Sequence, residues 1–96
     1  MYALFTEVNA DEAHVDAARE ILPQVAAPGA REAGAKGGYW LAPQNGRGVA
    51  VIVFDTEEAA RQAAEMFTVG EPPFPGAPTA VTVRTVEVRE VLASVT

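Results

Sequence analysis

Two short stretches of this 96-residue chain resemble each other, and each joins a strand-like segment to a helix-like segment. Residues 7–13 read EVNADEA, and residues 53–59 read VFDTEEA. In both, an Asn or Asp that can cap a helix is followed three residues later by a Glu, which is the capping-box spacing. A βα unit that occurs twice around a hairpin is typical of a split βαβ arrangement. The two stretches thus form a short two-fold βα pseudo-repeat.

Four segments show the composition and alternation of β-strands. They are residues 2–8, 37–42, 47–54 and 79–95. The third segment is apolar at consecutive positions from Val49 onward, which predicts that both faces of the sheet are covered. Residues 43–46, PQNG, predict a hairpin turn, because Asn and Gly readily adopt positive φ.

The last predicted strand, residues 79–95, is much longer than the usual strand. Its apolar positions change parity near Arg84 and Thr85, which predicts a β-bulge there. A small four-stranded sheet offers no partner for the surplus length. We therefore expect a second subunit to pair with it.

The first predicted helix has Asn9 as its cap and an apolar stripe with helical spacing. The stripe consists of Val15, Ala18, Leu22 and Val25. Pro23 lies within this stretch, so we expect a kink or a helix end near Leu22. Small residues and a Pro-Gly pair then predict a loose connection over residues 26–34.

Asp55 caps the second predicted helix, whose apolar stripe spans residues 59–67. Residues 70–78 hold four prolines and predict an extended loop. The order βαββαβ predicts an α+β, ferredoxin-like domain over residues 1–96: an antiparallel four-stranded sheet with two helices on one face. The other face is also apolar, which favours two sheets packed face to face across a two-fold axis.

Composition excludes several classes of partner and site. The net charge is −6 at pH 7, from 7 basic and 13 acidic side chains, which argues against nucleic acid or an anionic membrane as partner. The chain has no Cys, hence no thiol nucleophile or thiolate metal site, and we expect neither a metal nor a cofactor. Because no signal peptide or membrane-length apolar run is evident, we expect a cytoplasmic protein.

The chain resembles the dimeric α/β-barrel superfamily, in particular its antibiotic-biosynthesis-monooxygenase-like group. The resemblance rests on length, element order, the Gly-Tyr-Trp of the second strand, the Val-rich strand that ends in Phe54-Asp55, and the long last strand. It implies a homodimer whose two sheets close into a barrel, with a ligand cleft between each sheet and its helices. Many Ala and more Arg than Lys point to a bacterial source.

Members of this superfamily include cofactor-independent monooxygenases of polyketide-type aromatics, haem-degrading enzymes and isomerases. The haem-degrading members carry an Asn–Trp–His arrangement with the His on the second helix. Residues 55–68 of this chain contain no His, so that branch fits poorly.

Two residues are candidates for proton transfer. His14 is the only histidine and could act as a general base at the edge of a cleft; the alternative is a partly packed surface residue. Glu7 lies in the first strand, where a carboxylate needs a partner, and Arg84 could supply it. The alternative for that pair is a structural or intersubunit ion pair.

Aromatic residues are the candidates for ligand binding. Tyr39 and Trp40 are adjacent in a strand and therefore point to opposite faces, where either could stack on a flat ligand or pack in a core or interface. The proline-rich loop could cover the cleft, with Phe74 as the apolar side chain that enters it. The alternative is that the loop only connects the second helix to the last strand. Arg84 would complete a polar pair in an apolar pocket.

Two functions from different classes remain open. The first is a homodimeric ligand-binding or accessory protein. The second is a cofactor-independent monooxygenase or isomerase for a small aromatic or polyketide-like substrate, in which Tyr39 and Trp40 position the substrate and His14 or Glu7 moves a proton. Since one His and no Cys supply no nucleophile–base pair, the first is favoured. A weaker third possibility is a ligand-sensing domain that acts in trans on a regulator.

Overall fold

Four antiparallel strands form one sheet in the computed structural model, which describes residues 1–95. The strands are β1 (Tyr2–Asn9), β2 (Gly37–Gln44), β3 (Arg47–Phe54) and β4 (Thr82–Glu90). They lie in the order β2-β3-β1-β4, and each neighbouring pair is antiparallel. With the helices between them the chain order is βαββαβ, so the predicted ferredoxin-like α+β architecture is confirmed.

The helical part between β1 and β2 covers residues 12–32, which we call the long helical segment. It consists of a 3₁₀ turn (Glu12–His14), helix α1 (Val15–Ile21), a π-helical stretch (Leu22–Ala26) and helix α2 (Ala27–Glu32). Helix α3 (Glu57–Ala64) connects β3 to the loop that precedes β4. No helix among the described residues combines the length and apolar character that crossing a membrane requires.

Two prolines lie inside the long helical segment without ending it. The winding does change at Leu22, next to Pro23, where the backbone opens into the π-helical stretch. A wider turn accommodates a ring that would clash with the carbonyl one α-helical turn earlier. Pro28 lies in the first turn of α2, which follows the π-helical stretch without a break, so the segment also continues past a second residue that lacks an N–H. The prediction of a loose connection over residues 26–34 is therefore wrong.

The helices are capped by residues other than the predicted ones. The Asp11 carboxylate accepts a hydrogen bond from a backbone N–H in the 3₁₀ turn, and the Thr56 hydroxyl accepts one from a backbone N–H in the first turn of α3. Asn9 instead ends β1, and its side-chain amide donates to the Thr82 hydroxyl over 3.2 Å. Asp55 also remains outside its helix. Both predicted caps are wrong: because β1 extends through Asn9, the first cap lies two residues later at Asp11, and the second lies one residue after Asp55.

The hairpin and the bulge occur where they were predicted. Asn45 and Gly46 form the β2–β3 turn with φ values of 55° and 77°. In β4, Thr85 lies opposite Glu7 but Val83 lies opposite Val8, so one residue of β4 is extra at this point. That change of register lets the valines on both sides of the bulge face the helices.

Strand β4 is shorter than predicted. It ends at Glu90, opposite Tyr2, the first residue of β1. Because β1 offers no earlier strand residue, residues 91–95 lie outside the sheet, and Leu92 is 89% exposed. The prediction of a strand as far as Val95 is therefore wrong within one chain.

The sheet has one covered face and one open face. On the covered face a core of buried side chains packs against α3, and it consists of Leu4, Ile52, Phe54, Ala60 and Ala63. On the other face, Tyr39 is 75% exposed and no helix of residues 1–95 packs over it. We call this the open face; it includes Phe5 and Val51, which are opposite each other. The prediction that both faces are covered does not hold for a single described chain.

Candidate functional site

A cleft of about 550 Å³ lies between the covered face of the sheet and the long helical segment. Its floor is formed by β1, β2 and β3, and its roof by the long helical segment. The proline-rich loop over residues 70–78 forms a further wall. A volume of this size is within the usual range for small-molecule sites, which is about 300–1,000 Å³.

Small side chains create this space. In the floor, Ala50 occupies a central position of β3 and leaves space above it, whereas Gly48, near the hairpin turn, lies in close contact with the Val8 side chain. The roof combines the larger Ile21, Leu22 and Val25 with five small residues: Ala17, Ala18, Ala26, Gly29 and Ala30. No residue of the long helical segment is fully buried, so this segment spans the cleft and does not fill it.

One row of side chains crosses the floor from the edge strand to the centre of the sheet. Trp40 lies opposite Ala50, and Ala50 lies opposite Thr6. Trp40 both lines the cleft and packs against the core. Thr6, 5% exposed, is the single buried polar residue of the described chain. The row thus places an aromatic ring and a hydroxyl on either side of a methyl group.

His14 lies at one end of the roof, where the large cleft meets a shallower pocket lined by Asp11 and Glu12. Its Nδ1 is buried, and no group among residues 1–95 forms a hydrogen bond with it. A buried N–H without a partner is rare, because it costs roughly 1–3 kcal/mol. This environment therefore favours the tautomer with the proton on Nε2, which leaves an N–H available to a ligand.

Three of the six predicted site residues meet at the cleft. Trp40 lies in the floor, His14 at the end of the roof, and Phe74 in the loop wall, where it is half-buried. The prediction that Tyr39 and Trp40 face opposite sides of the sheet is confirmed by their register, with Tyr39 on the open face.

The other predicted residues lie away from the cleft. Glu7 is on the open face, so it and His14 are on opposite sides of the sheet. The partner of Glu7 is Arg47, at 3.2 Å between Oε2 and Nη1, and the predicted pairing with Arg84 is wrong. The reason is the bulge, which sets Thr85 opposite Glu7 and leaves Arg84 exposed.

Several residues of the site were not predicted from the sequence. Thr6, Gly48 and Ala50 form the centre of the floor. A signal for them exists, because Gly48 and Ala50 are small residues that alternate with valines in an otherwise bulky strand. Such alternation indicates a strand face that leaves space above it.

The site carries no group of metal ligands: among residues 1–95, no three His, Asp or Glu side chains are close enough together to hold a metal ion. Compared with protein-family models, curated proteins and solved structures, the chain matches none of them.

Proposed function

We propose that the protein is a homodimer that binds a small, largely apolar molecule in the cleft between the sheet and the long helical segment. The observation that carries this proposal is the apolar space of about 550 Å³ between Ala50 in the floor and the alanine-rich roof. Apolar pockets with a few polar groups are the usual form of small-molecule sites. A helical segment without a fully buried residue also gains packing when a ligand fills the space beneath it.

The polar and aromatic groups of the cleft would contact different parts of a ligand. Trp40 offers a ring face or edge against which a flat ligand can pack. The Thr6 hydroxyl in the floor and the His14 imidazole at the end of the roof can each donate one hydrogen bond. Phe74 adds apolar contact from the loop wall. This set suits a ligand with an apolar body and one or two polar atoms.

The open face supports the dimer. It includes the apolar pair Phe5 and Val51, while the ion pair of Glu7 with Arg47 lies at one end and that of Glu87 with Arg89 lies along β4. An uncovered apolar sheet face of this kind is typical of interfaces, and a two-fold axis would place the same patch on both partners. The resemblance to dimeric α/β-barrel proteins belongs to the same proposal, and a cytoplasmic, bacterial protein remains a prediction from the sequence.

Native mass spectrometry of the freshly purified protein tests both parts together. We expect a dimer mass that carries up to two copies of a small co-purified molecule, which tandem dissociation would then release for identification. A monomer at micromolar concentration would contradict the dimer. The variant Trp40→Ala should lose the bound molecule, whereas Tyr39→Ala, on the open face, should keep it.

One observation favours the enzymatic alternative, a cofactor-independent monooxygenase or isomerase. His14 lines the apolar cleft, and because its Nδ1 is buried, Nε2 is the ring nitrogen that could exchange a proton with a ligand. If the co-purified molecule is converted on incubation, His14→Ala should abolish the conversion while binding is largely retained. Unchanged conversion in that variant would remove His14 from any catalytic role.

A further inference from the structure

We infer that the cleft discriminates against anionic ligands and takes molecules whose polar end is uncharged or cationic. This inference rests on the proposed ligand-binding function and narrows it to a chemical class. It follows from where the charges of the chain lie relative to the cleft.

Positive charge is kept away from the cleft. Of the 7 basic residues, none lines it. Five are held in ion pairs with carboxylates elsewhere on the molecule: Arg19, Lys36, Arg47, Arg61 and Arg89. The other two, Arg31 and Arg84, are exposed on α2 and at the bulge of β4. A carboxylate or phosphate that entered the cleft would therefore find no lysine or arginine to pair with.

Negative charge, in contrast, is present at the rim. Glu71, in the loop wall, is the one charged side chain that lines the cleft. The shallower pocket that shares His14 adds Asp11 and Glu12 nearby. Transfer of an ionised group from water into an apolar site is costly unless it is paired, and like charges at the rim increase that cost. The net charge of −6 acts in the same direction.

The hydrogen-bonding groups fit this class. The Thr6 hydroxyl, the His14 imidazole and the Trp40 indole N–H can form hydrogen bonds with a carbonyl, a hydroxyl or an amide. An ammonium group at the loop end could face Glu71. Alcohols, ketones and amines on an apolar body are thus favoured, and fatty acids, aromatic carboxylates and phosphorylated molecules are disfavoured.

Trp40 is the only tryptophan of the chain, so its fluorescence reports on the cleft. Three probes share one ring system and one substituent position: anthracene-2-methanol, anthracen-2-ylmethylammonium and anthracene-2-carboxylate. Quenching of Trp40 at pH 7.5 and moderate salt gives the three dissociation constants. We expect the carboxylate to bind at least about tenfold more weakly than the alcohol, and the ammonium at least as tightly as the alcohol.

The outcomes separate the two proposals. If none of the three probes quenches Trp40, the ligand-binding function itself is contradicted. If the alcohol binds and the carboxylate binds equally well or better, the function stands and the charge preference is overturned. Glu71→Gln should reduce the preference for the ammonium over the alcohol, whereas Glu65→Gln, exposed and outside the cleft, should not. Equal effects of the two variants would overturn the role of Glu71.

Discussion

Ala18 is a half-buried residue of α1 that faces the cleft, and its single methyl group leaves space that a larger side chain would fill. Most of the site depends on such positions, since the polar groups are few and the volume comes from side chains that are small. Substitutions that add carbon atoms therefore test the function more directly than substitutions that remove them.

Ala18→Leu should close much of the cleft. We expect the affinity for anthracene-2-methanol to fall by about tenfold or more, since a bulky side chain occupies ligand space. Stability should not decrease, because the Leu side chain packs into open volume and this offsets its slightly lower helix propensity relative to Ala. Trp40 quenching and thermal unfolding measure the two effects. Ala13→Leu, exposed and outside the cleft, is the control; loss of binding in both variants would contradict the role of Ala18.

Gly46 illustrates a residue whose backbone conformation matters more than its contacts. Its φ is 77°, and an added Cβ would meet nothing within 4 Å. Gly46→Ala should therefore lower the free energy of unfolding by about 1 kcal/mol through strain alone. Gly37→Ala, equally free of contacts but without a positive φ, should cost nothing. Urea unfolding of both variants checks this, and equal losses would contradict it.

At the scale of elements, the sequence predicted the strands more accurately than the helices. Alternation and parity are local properties, so the four strands, the turn at Asn45 and the bulge near Arg84 could be predicted. The π-helical stretch around Pro23 could not, because the cost of a proline depends on how the surrounding turns adjust. The end of β4 depended on where β1 begins, which is a property of the pairing and not of β4 itself.

The bulge in β4 determines which residues on either side of it face the helices. Deletion of Arg84 should force the valines on one side of it out of the core, at a cost of roughly 3 kcal/mol or more. Arg84→Ala keeps the residue count and should cost less than about 0.5 kcal/mol. Chemical unfolding distinguishes the two. A deletion variant as stable as the substitution would show that the register can shift without loss.

At the scale of the whole molecule, the sheet separates the cleft on its covered face from the open face. Sequence parity showed that Tyr39 and Trp40 diverge, but not which of them the helices would cover. That choice depends on the side to which both crossovers turn, which only the complete fold determines. The same holds for Glu7 and His14, which are seven residues apart in the chain and on opposite sides of the sheet.

If the open face is a dimer interface, folding and association are linked. The thermal midpoint should then rise with protein concentration between 1 and 100 μM, because association stabilises the folded state by mass action. Val51→Lys, at the centre of that face, should give a monomer whose midpoint does not depend on concentration. Gln44→Lys, exposed at the end of β2, should behave as the parent protein. A parent midpoint independent of concentration, together with a monomer mass, would contradict the interface.

The small residues of the cleft floor have a consequence for how this protein can change over time. Because small side chains determine the volume of the cleft, substitutions at Ala50, at Ala18 or at other roof positions can change that volume by one methyl group at a time, while the polar groups stay in place. Most such changes leave the core of Leu4, Ile52 and Phe54 untouched. Ligand size is therefore the trait that single mutations alter most easily here, and homologues with the same fold would be expected to differ in cleft volume before they differ in chemistry.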